Sequence, residues 1–140
     1  KFLQYRTHAA NRSLSNTPPT FGIYLVRNVL AWTRDQGGLD AMERRNREKA
    51  ALVYGAIEAS GGFYGCPVDP ADRSLMNVVF RLPTPALEHA LVAESEKQGI
   101  IGIKGHRSVG GLRVSLYNAV SVEWTRTLAD LLHDFARRHG

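Results

Sequence analysis

The chain has 140 residues, 44% hydrophobic and 22% charged, a composition that excludes a disordered, collagen-like or coiled-coil protein. Its 18 lysines and arginines outnumber its 13 acidic residues and give a net charge of +5, which favours nucleic acid or a small phosphorylated or carboxylated ligand as partner. The apolar runs are far shorter than the ~20 residues that cross a bilayer, and the single cysteine excludes an intramolecular disulfide and a cysteine-cluster zinc site. We therefore expect a cytoplasmic protein with no membrane span and no metal site.

The first predicted helix follows an extended lead-in of about fifteen residues. Pro18 and Pro19 suit the first turn of a helix, and Thr17 before them is the predicted N-cap. Residues 18–36 are predicted to be helical because apolar side chains recur there at helical spacing, namely Phe21, Tyr24, Leu25, Val29 and Trp32.

A second amphipathic helix is predicted over about residues 39–60. The pair Gly37-Gly38 ends the first helix in the manner of a C-terminal glycine cap, and Gly61-Gly62 closes the second. Glu43 and Arg47 are spaced for an ion pair on an exposed helical face. The opposite, apolar side follows the helical period imperfectly, and Leu52 and Ala56 fill in between the residues that trace it: Met42, Asn46, Lys49, Val53 and Ile57.

The remainder of the chain is predicted to contain short strands and two further helices. One helix starts at Thr84-Pro85 and ends at Gly99, and Ser121 caps the last, which runs to about His139. Strands are predicted at Phe63-Tyr64, Leu75 to Leu82, Ile100 to Ile103 and Leu112 to Tyr117. The resulting order, α-α-β-β-α-β-β-α, indicates an α+β fold in which two helices precede a small sheet-and-helix domain.

The strongest chemical signal is the glycine-rich basic segment from Lys104 to Gly111. Its three glycines allow the backbone to approach a ligand closely, and it carries His106 and Arg107. Arg113 follows two positions after Gly111 on a predicted strand. The three basic side chains are therefore candidates for binding one anion, or two anionic groups of one ligand. The alternative is a solvated basic loop that closes a hairpin.

Asn16 and Thr17 form a second candidate site at the start of the first long helix. An amide and a hydroxyl at a helix N-terminus suit phosphate binding, because free backbone amides and the helix dipole favour an anion there. A simple N-cap in a tight turn explains the same residues.

A nucleic-acid-binding function is the alternative from a different class. Gly102 and Gly105 form a Gly-x-x-Gly in an apolar context, similar to the loop with which KH domains clamp a nucleic-acid backbone. In this alternative the chain is a basic α+β module that binds nucleic acid or another anion through the loop Gly102–Gly111. The KH loop needs a helix on each side, whereas strands are predicted here.

Three segments together resemble the carboxy-terminal part of the phosphoserine aminotransferase family. They begin at Ser13 (SLSNTPPT), Arg73 (RSLMNV) and Lys104 (KGHRSVGGLRVSLYN), in that order, and the resemblance extends from about Ser13 to the end. It implies the fold of the aspartate-aminotransferase-like, pyridoxal-phosphate-dependent enzymes. It also implies amino transfer between glutamate and 3-phosphohydroxypyruvate, which gives phosphoserine and 2-oxoglutarate, and a possible second role in pyridoxine biosynthesis.

The resemblance assigns roles to five residues. Asn16 and Thr17 would contact the phosphate of the pyridoxal phosphate held by the partner subunit of a homodimer. His106 and Arg107 would bind the phosphate or distal carboxylate of the substrate, and Arg113 its α-carboxylate. Leu75 departs from the family, which often has arginine there, and receives no role.

The resemblance also implies that the catalytic lysine lies elsewhere. The chain has four lysines, and none stands in the family's Schiff-base motif, which precedes the Asn-Thr-Pro-Pro-Thr segment. Transamination needs that amine, so the 140 residues alone are expected to be inactive and to contain no catalytic residue. Residues 1–38 would be the end of the large domain with its connecting helix, and residues 39–140 the C-terminal small domain.

Overall fold

A computed structural model describes residues 2–140, which fall into two compact units. One unit ends at Leu39, and the other runs from Asp40 to Gly140. Within the described residues there are five α-helices, one short 3-10 helix and two β-strands. No helix among them is long and apolar enough to cross a lipid bilayer.

The first unit opens with a short helix, α1 (Tyr5–Ala10), so the predicted extended lead-in is wrong. The segment contains neither glycine nor proline, and its first turn closes through the Thr7 N–H, which donates to the Gln4 carbonyl at 3.0 Å. Six residues are too few to show an apolar period, which is why the sequence pattern missed this helix.

The second helix, α2 (Thr20–Asp35), agrees with the prediction for residues 18–36 but has a different cap. Pro19 occupies the N-cap position and no side chain caps the helix, so the assignment of Thr17 as N-cap is wrong. The Thr20 N–H donates to the Pro18 carbonyl at 2.8 Å, so the turn made by the two prolines separates the Thr17 hydroxyl from the helix start. The end is as predicted, with Gly37 at a φ of 98°.

Three helices contribute to the core of the second unit: α3 (Gly38–Glu58), α4 (Pro85–Lys97) and α5 (Val122–His139). The predicted caps are present. The Thr84 hydroxyl accepts the Leu87 N–H at 3.3 Å, and the Ser121 hydroxyl accepts the Trp124 N–H at 3.1 Å.

The polar residues that interrupt the apolar side of α3 are themselves buried. Lys49 is 1% exposed, and its ammonium donates to the carbonyls of Leu116 at 2.9 Å and Tyr117 at 2.8 Å. Asn46 is 6% exposed, and its amide nitrogen donates to the Asn118 side-chain oxygen at 3.0 Å. The buried side of α3 is therefore continuous along the helix. Its two polar residues hold residues 116–118 against α3 through hydrogen bonds.

The sheet consists of β1 (Asn77–Phe80) and β2 (Leu112–Ser115), paired antiparallel. One face enters the core through Val78, Phe80, Leu112 and Val114. Alternation places Arg113 on the opposite face, across from Val79. The α+β class is confirmed.

Two predicted strands are absent among the described residues, so the observed order is α-α-α-β-α-β-α. Near Phe63-Tyr64 there is only an isolated bridge between Gly65 and Arg81, and Pro67 lacks the N–H that a longer ladder would need. In the segment Ile100 to Ile103, Gly102 has a φ of 78°, which interrupts an extended strand. Only the Lys104–Leu112 bridge forms there.

Tyr64 is a buried phenol at the centre of the aromatic part of the core. It is 3% exposed, its hydroxyl donates to the Leu132 carbonyl at 2.8 Å, and its ring packs edge-on against Phe80 at 5.4 Å. Burial raises the pKa of this phenol well above its usual value near 10. The folded state therefore keeps the proton at pH values where the unfolded chain loses it.

We expect the free energy of unfolding to fall as the pH rises above 10, because ionisation of Tyr64 then favours the unfolded state. Tyr64→Phe removes the Tyr64 contribution and reduces the steepness of the fall by up to about 1.4 kcal/mol per pH unit, while Tyr54, whose pKa burial also raises, keeps its own contribution. Urea unfolding between pH 8 and about 11 measures both slopes, with Tyr117→Phe, at an exposed tyrosine, as matched control. Equal slopes for the wild type and Tyr64→Phe would contradict the expectation.

Candidate functional site

The basic glycine-rich segment forms a closed loop that leads directly into β2. The Gly105 N–H donates to the Gly111 carbonyl at 2.9 Å, beside the bridge between Lys104 and Leu112. At the tip, the N–H groups of Val109 and Gly110 both donate to the His106 carbonyl, at 2.9 and 2.8 Å. The loop is therefore a tight, internally bonded turn.

Gly105 and Gly111 are required by the closeness of the two sides of this loop. A Cβ at Gly105 would lie 2.2 Å from the Gly110 carbonyl oxygen. Gly111 has a φ of 69°, and a Cβ there would lie 3.0 Å from the Phe80 carbonyl oxygen. The glycine pattern thus reflects the close approach of backbone segments of the chain to one another. The approach of a ligand to the loop, which the sequence analysis expected, stays a prediction.

Two cavities adjoin the loop, and His106 lines both. The first has a volume of about 350 Å³ and is lined by His106, Arg113 and Arg81. The second, of about 280 Å³, is lined by Lys104, His106 and Arg107. His106 thus shares one cavity with Arg113 and the other with Arg107.

Among the residues that the structure describes, no carboxylate neutralises Arg81, Arg107 or Arg113. None of them forms an ion pair within residues 2–140, whereas Arg47, Arg73 and Arg138 all do. Unneutralised guanidinium groups beside a cavity attract anions, and carboxylate or phosphate can accept two parallel hydrogen bonds from each.

Hydrogen bonds orient the His106 ring. The Ser108 N–H donates to Nδ1 at 3.3 Å, and the Ser108 hydroxyl lies 2.7 Å from the same atom. Because a backbone N–H can only donate, Nδ1 is an acceptor and the neutral ring carries its proton on Nε2. His106 can therefore offer an Nε2–H donor to an anion.

Asn16 and Thr17 lie in the first unit, on the exposed segment before α2. The Asn16 side-chain amide donates to the Thr17 carbonyl at 3.1 Å. Since no side chain caps α2, the first-turn amides that follow Thr20 add backbone donors to the Asn16 amide and the Thr17 hydroxyl, whereas the Thr20 N–H is taken by the Pro18 carbonyl. This donor set suits a phosphate group.

Arg81 and Ser108 are residues of the site that the sequence analysis missed. Arg81 reaches the loop only because β1 ends where β2 begins, and strand pairing cannot be read from a single sequence. Ser108 could have been found, because a hydroxyl two residues after a histidine in a turn is within reach of the ring.

The helices that a KH-type loop requires do not flank Gly102–Gly105. In the described part of the chain, α4 ends at Lys97, before the segment 98–103, and β2 follows the loop. The nucleic-acid alternative is therefore not supported. No group of three or more metal-binding side chains is found in residues 2–140.

Comparison with known proteins gives one consistent family. The profile of the family described as aminotransferase class-V matches residues 1–125. The phosphoserine aminotransferases of Herpetosiphon aurantiacus and Geobacillus kaustophilus are 53% and 52% identical to the chain over 138 and 136 residues. These matches cover 99% and 97% of this chain but 38% of each relative, so the chain spans well under half of their length.

Solved structures of similar proteins agree. The phosphoserine aminotransferase from Bacillus circulans subsp. alkalophilus has a TM-score of 0.89 and 51% identity, covering 99% of this chain and 38% of that one. The phosphoserine aminotransferase from Trichomonas vaginalis with bound PLP has a TM-score of 0.82 and 35% identity, covering 91% and 37%.

Proposed function

The chain belongs to the aminotransferase class-V family, and from this premise we propose that it is the C-terminal part of a phosphoserine aminotransferase. The complete enzyme transfers an amino group between glutamate and 3-phosphohydroxypyruvate, which gives phosphoserine and 2-oxoglutarate. The similarity to phosphoserine aminotransferases at about half identity along nearly the whole chain supports this reaction.

The observation that carries the proposal is the set of unneutralised basic side chains around the two loop cavities. Each substrate of this reaction carries an α-carboxylate at one end and a phosphate or second carboxylate at the other. A molecule with two anionic ends could bind Arg113 at one end and the His106–Arg107 pair at the other, because these residues border different parts of the loop.

Within this proposal, Arg113 holds the α-carboxylate. Its backbone is fixed on β2, and its N–H donates to the Ile103 carbonyl at 2.8 Å, so the guanidinium extends from a rigid base. His106, through Nε2–H, and Arg107 bind the phosphate or distal carboxylate. These residues bind and orient the substrate, and none of them transfers a proton.

Pyridoxal phosphate is the cofactor of the proposed enzyme, and the donor set before α2 fits its phosphate. Asn16 and Thr17 would hold that phosphate with the first-turn amides of α2 that follow Thr20. When bound, the cofactor supplies the electron sink for removing and adding the α-proton. The exposure of both side chains is compatible with donation to the site of a partner subunit in a homodimer.

The remaining parts of the proposal concern the whole enzyme. Residues 1–38 belong to the end of its large domain and the connecting helix, and residues 39–140 form its small domain. We place the enzyme in the cytoplasm. The lysine that holds the cofactor is none of the four in this chain, and the 140 residues alone are expected to be inactive. The resemblance also implies a second role of the same site, with a phosphorylated substrate of pyridoxine biosynthesis.

The proposal is tested with the full-length natural protein that contains this chain. We expect 2-oxoglutarate to form from glutamate in the presence of 3-phosphohydroxypyruvate, and we expect the rate to depend on pyridoxal phosphate. Pyruvate, which lacks the phosphate, is the matched control and should react with a much lower kcat/KM because His106 and Arg107 lose their ligand. A protein that binds the cofactor but favours pyruvate would overturn the assignment.

A further inference from the structure

Arg81 is anchored beside the basic loop by its own backbone. It follows β1, and its N–H and carbonyl exchange hydrogen bonds of 2.9 Å with Gly65. Such a reciprocal pair fixes the point from which the side chain extends. The backbone position from which the Arg81 side chain extends toward the loop is therefore fixed.

The guanidinium of Arg81 bonds the tip of the loop. Its Nη2 donates to the Val109 carbonyl at 2.5 Å. Val109 belongs to the turn in which the N–H groups of residues 109 and 110 both donate to the His106 carbonyl. A bond that fixes Val109 therefore also fixes the backbone of His106.

The rest of the Arg81 side chain lies against the two glycines before β2. A Cβ at Gly111 would lie 3.1 Å from the Arg81 Cγ, and a Cβ at Gly110 would lie 3.8 Å from its Nη1. The contact thus extends along the side chain. The same side chain lines the cavity of about 350 Å³ that His106 shares with Arg113.

We propose that Arg81 is a positioning residue that holds the tip of the loop, and with it His106, in the place where His106 and Arg113 line one cavity. Its structural effect is independent of the reaction, and its effect on substrate binding rests on the proposed function. Arginine suits this task because its planar group keeps one orientation when it bonds a carbonyl.

The test uses the full-length holoenzyme with Arg81→Met, Arg81→Lys and, as matched control, Arg126→Met at an exposed arginine of α5. In Arg81→Met, we expect the Val109 and Gly110 amides to exchange hydrogen about tenfold faster. We expect KM for 3-phosphohydroxypyruvate to rise about tenfold, which corresponds to 1.4 kcal/mol, with kcat and the urea midpoint unchanged. Arg81→Lys keeps the charge but not the planar group, so intermediate values are expected.

Two results would overturn the proposal. Unchanged amide exchange in both Arg81 variants would show that the side chain does not hold the loop. Faster exchange with an unchanged KM would show that the position of the loop does not govern substrate binding. If the wild-type enzyme transfers no amino group, the proposed function fails, whereas the exchange measurement still decides whether Arg81 holds the loop.

Discussion

Arg113→Ala is expected to lower kcat/KM of the full-length enzyme by about a hundredfold for both glutamate and phosphoserine. Both substrates present an α-carboxylate, and we propose that the Arg113 guanidinium receives it. The side chain has no carboxylate partner within residues 2–140. Its removal therefore leaves no carboxylate unpaired and should not unfold the protein. Unchanged thermal unfolding of the variant is the check on that point.

His106→Ala and Arg107→Ala should have a different profile. They remove donors to the distal anionic group, and a phosphate, with more charge and more acceptor oxygens than a carboxylate, should lose more binding energy. We expect the loss in kcat/KM to be greater for phosphoserine than for glutamate. Steady-state kinetics with both substrates measure the two ratios, and Arg113→Lys tests whether charge alone suffices for the carboxylate.

Equal losses for both substrates in all three alanine variants would contradict this division of roles. It would mean that the loop and β2 act on one common anionic group. The two cavities favour separate roles, because Arg107 lines one and Arg113 the other, with His106 between them.

The long elements of this fold could be predicted from sequence because each carries its own signals. The helices α2, α4 and α5 show apolar spacing with a terminal glycine or an N-terminal hydroxyl, and these signals act locally. The two absent strands show where such reasoning fails. Pro67 and Gly102 each prevent an isolated β-bridge from extending into a strand. A strand also needs a neighbouring segment to pair with, and the tertiary fold decides whether one is present.

The candidate site could be predicted in part for the same reason. His106, Arg107 and Arg113 lie within eight residues of one another, so the loop itself brings them together. Arg81 is 28 residues from its partner Val109, and only the pairing of β1 with β2 makes them neighbours. Non-local contacts of this kind leave no periodic trace in the sequence.

Lys49 shows a second limit, because its burial contradicts the usual preference of lysine for solvent. At 1% exposure its ammonium bonds two carbonyls, those of Leu116 and Tyr117, directly after β2. Burial lowers the pKa of Lys49, and the positive charge of Arg45 lowers it further. The group is retained in the core because those carbonyls need a donor.

We therefore expect Lys49→Met to lower the free energy of unfolding by about 3 kcal/mol, although methionine fills a similar volume. The substitution removes one partner and leaves two carbonyls without a donor, which costs more than the original bonds contributed. Urea unfolding at pH 7 measures the change. Lys97→Met, at an exposed lysine of α4, is the matched control and should change stability by less than about 0.5 kcal/mol.

The pH dependence gives a second readout of the same residue. Because the pKa of Lys49 is lower in the folded state than its usual 10.5, the unfolded chain binds the proton more tightly between these two values. Titration of Lys49 therefore raises the free energy of unfolding of the wild type as the pH increases toward 10.5, and Lys49→Met lacks this increase. The difference in free energy of unfolding between the two proteins should become larger with pH. A constant difference would show that folding does not lower the pKa of Lys49, and a variant as stable as the wild type at pH 7 would show that the two carbonyls do not depend on the Lys49 amine.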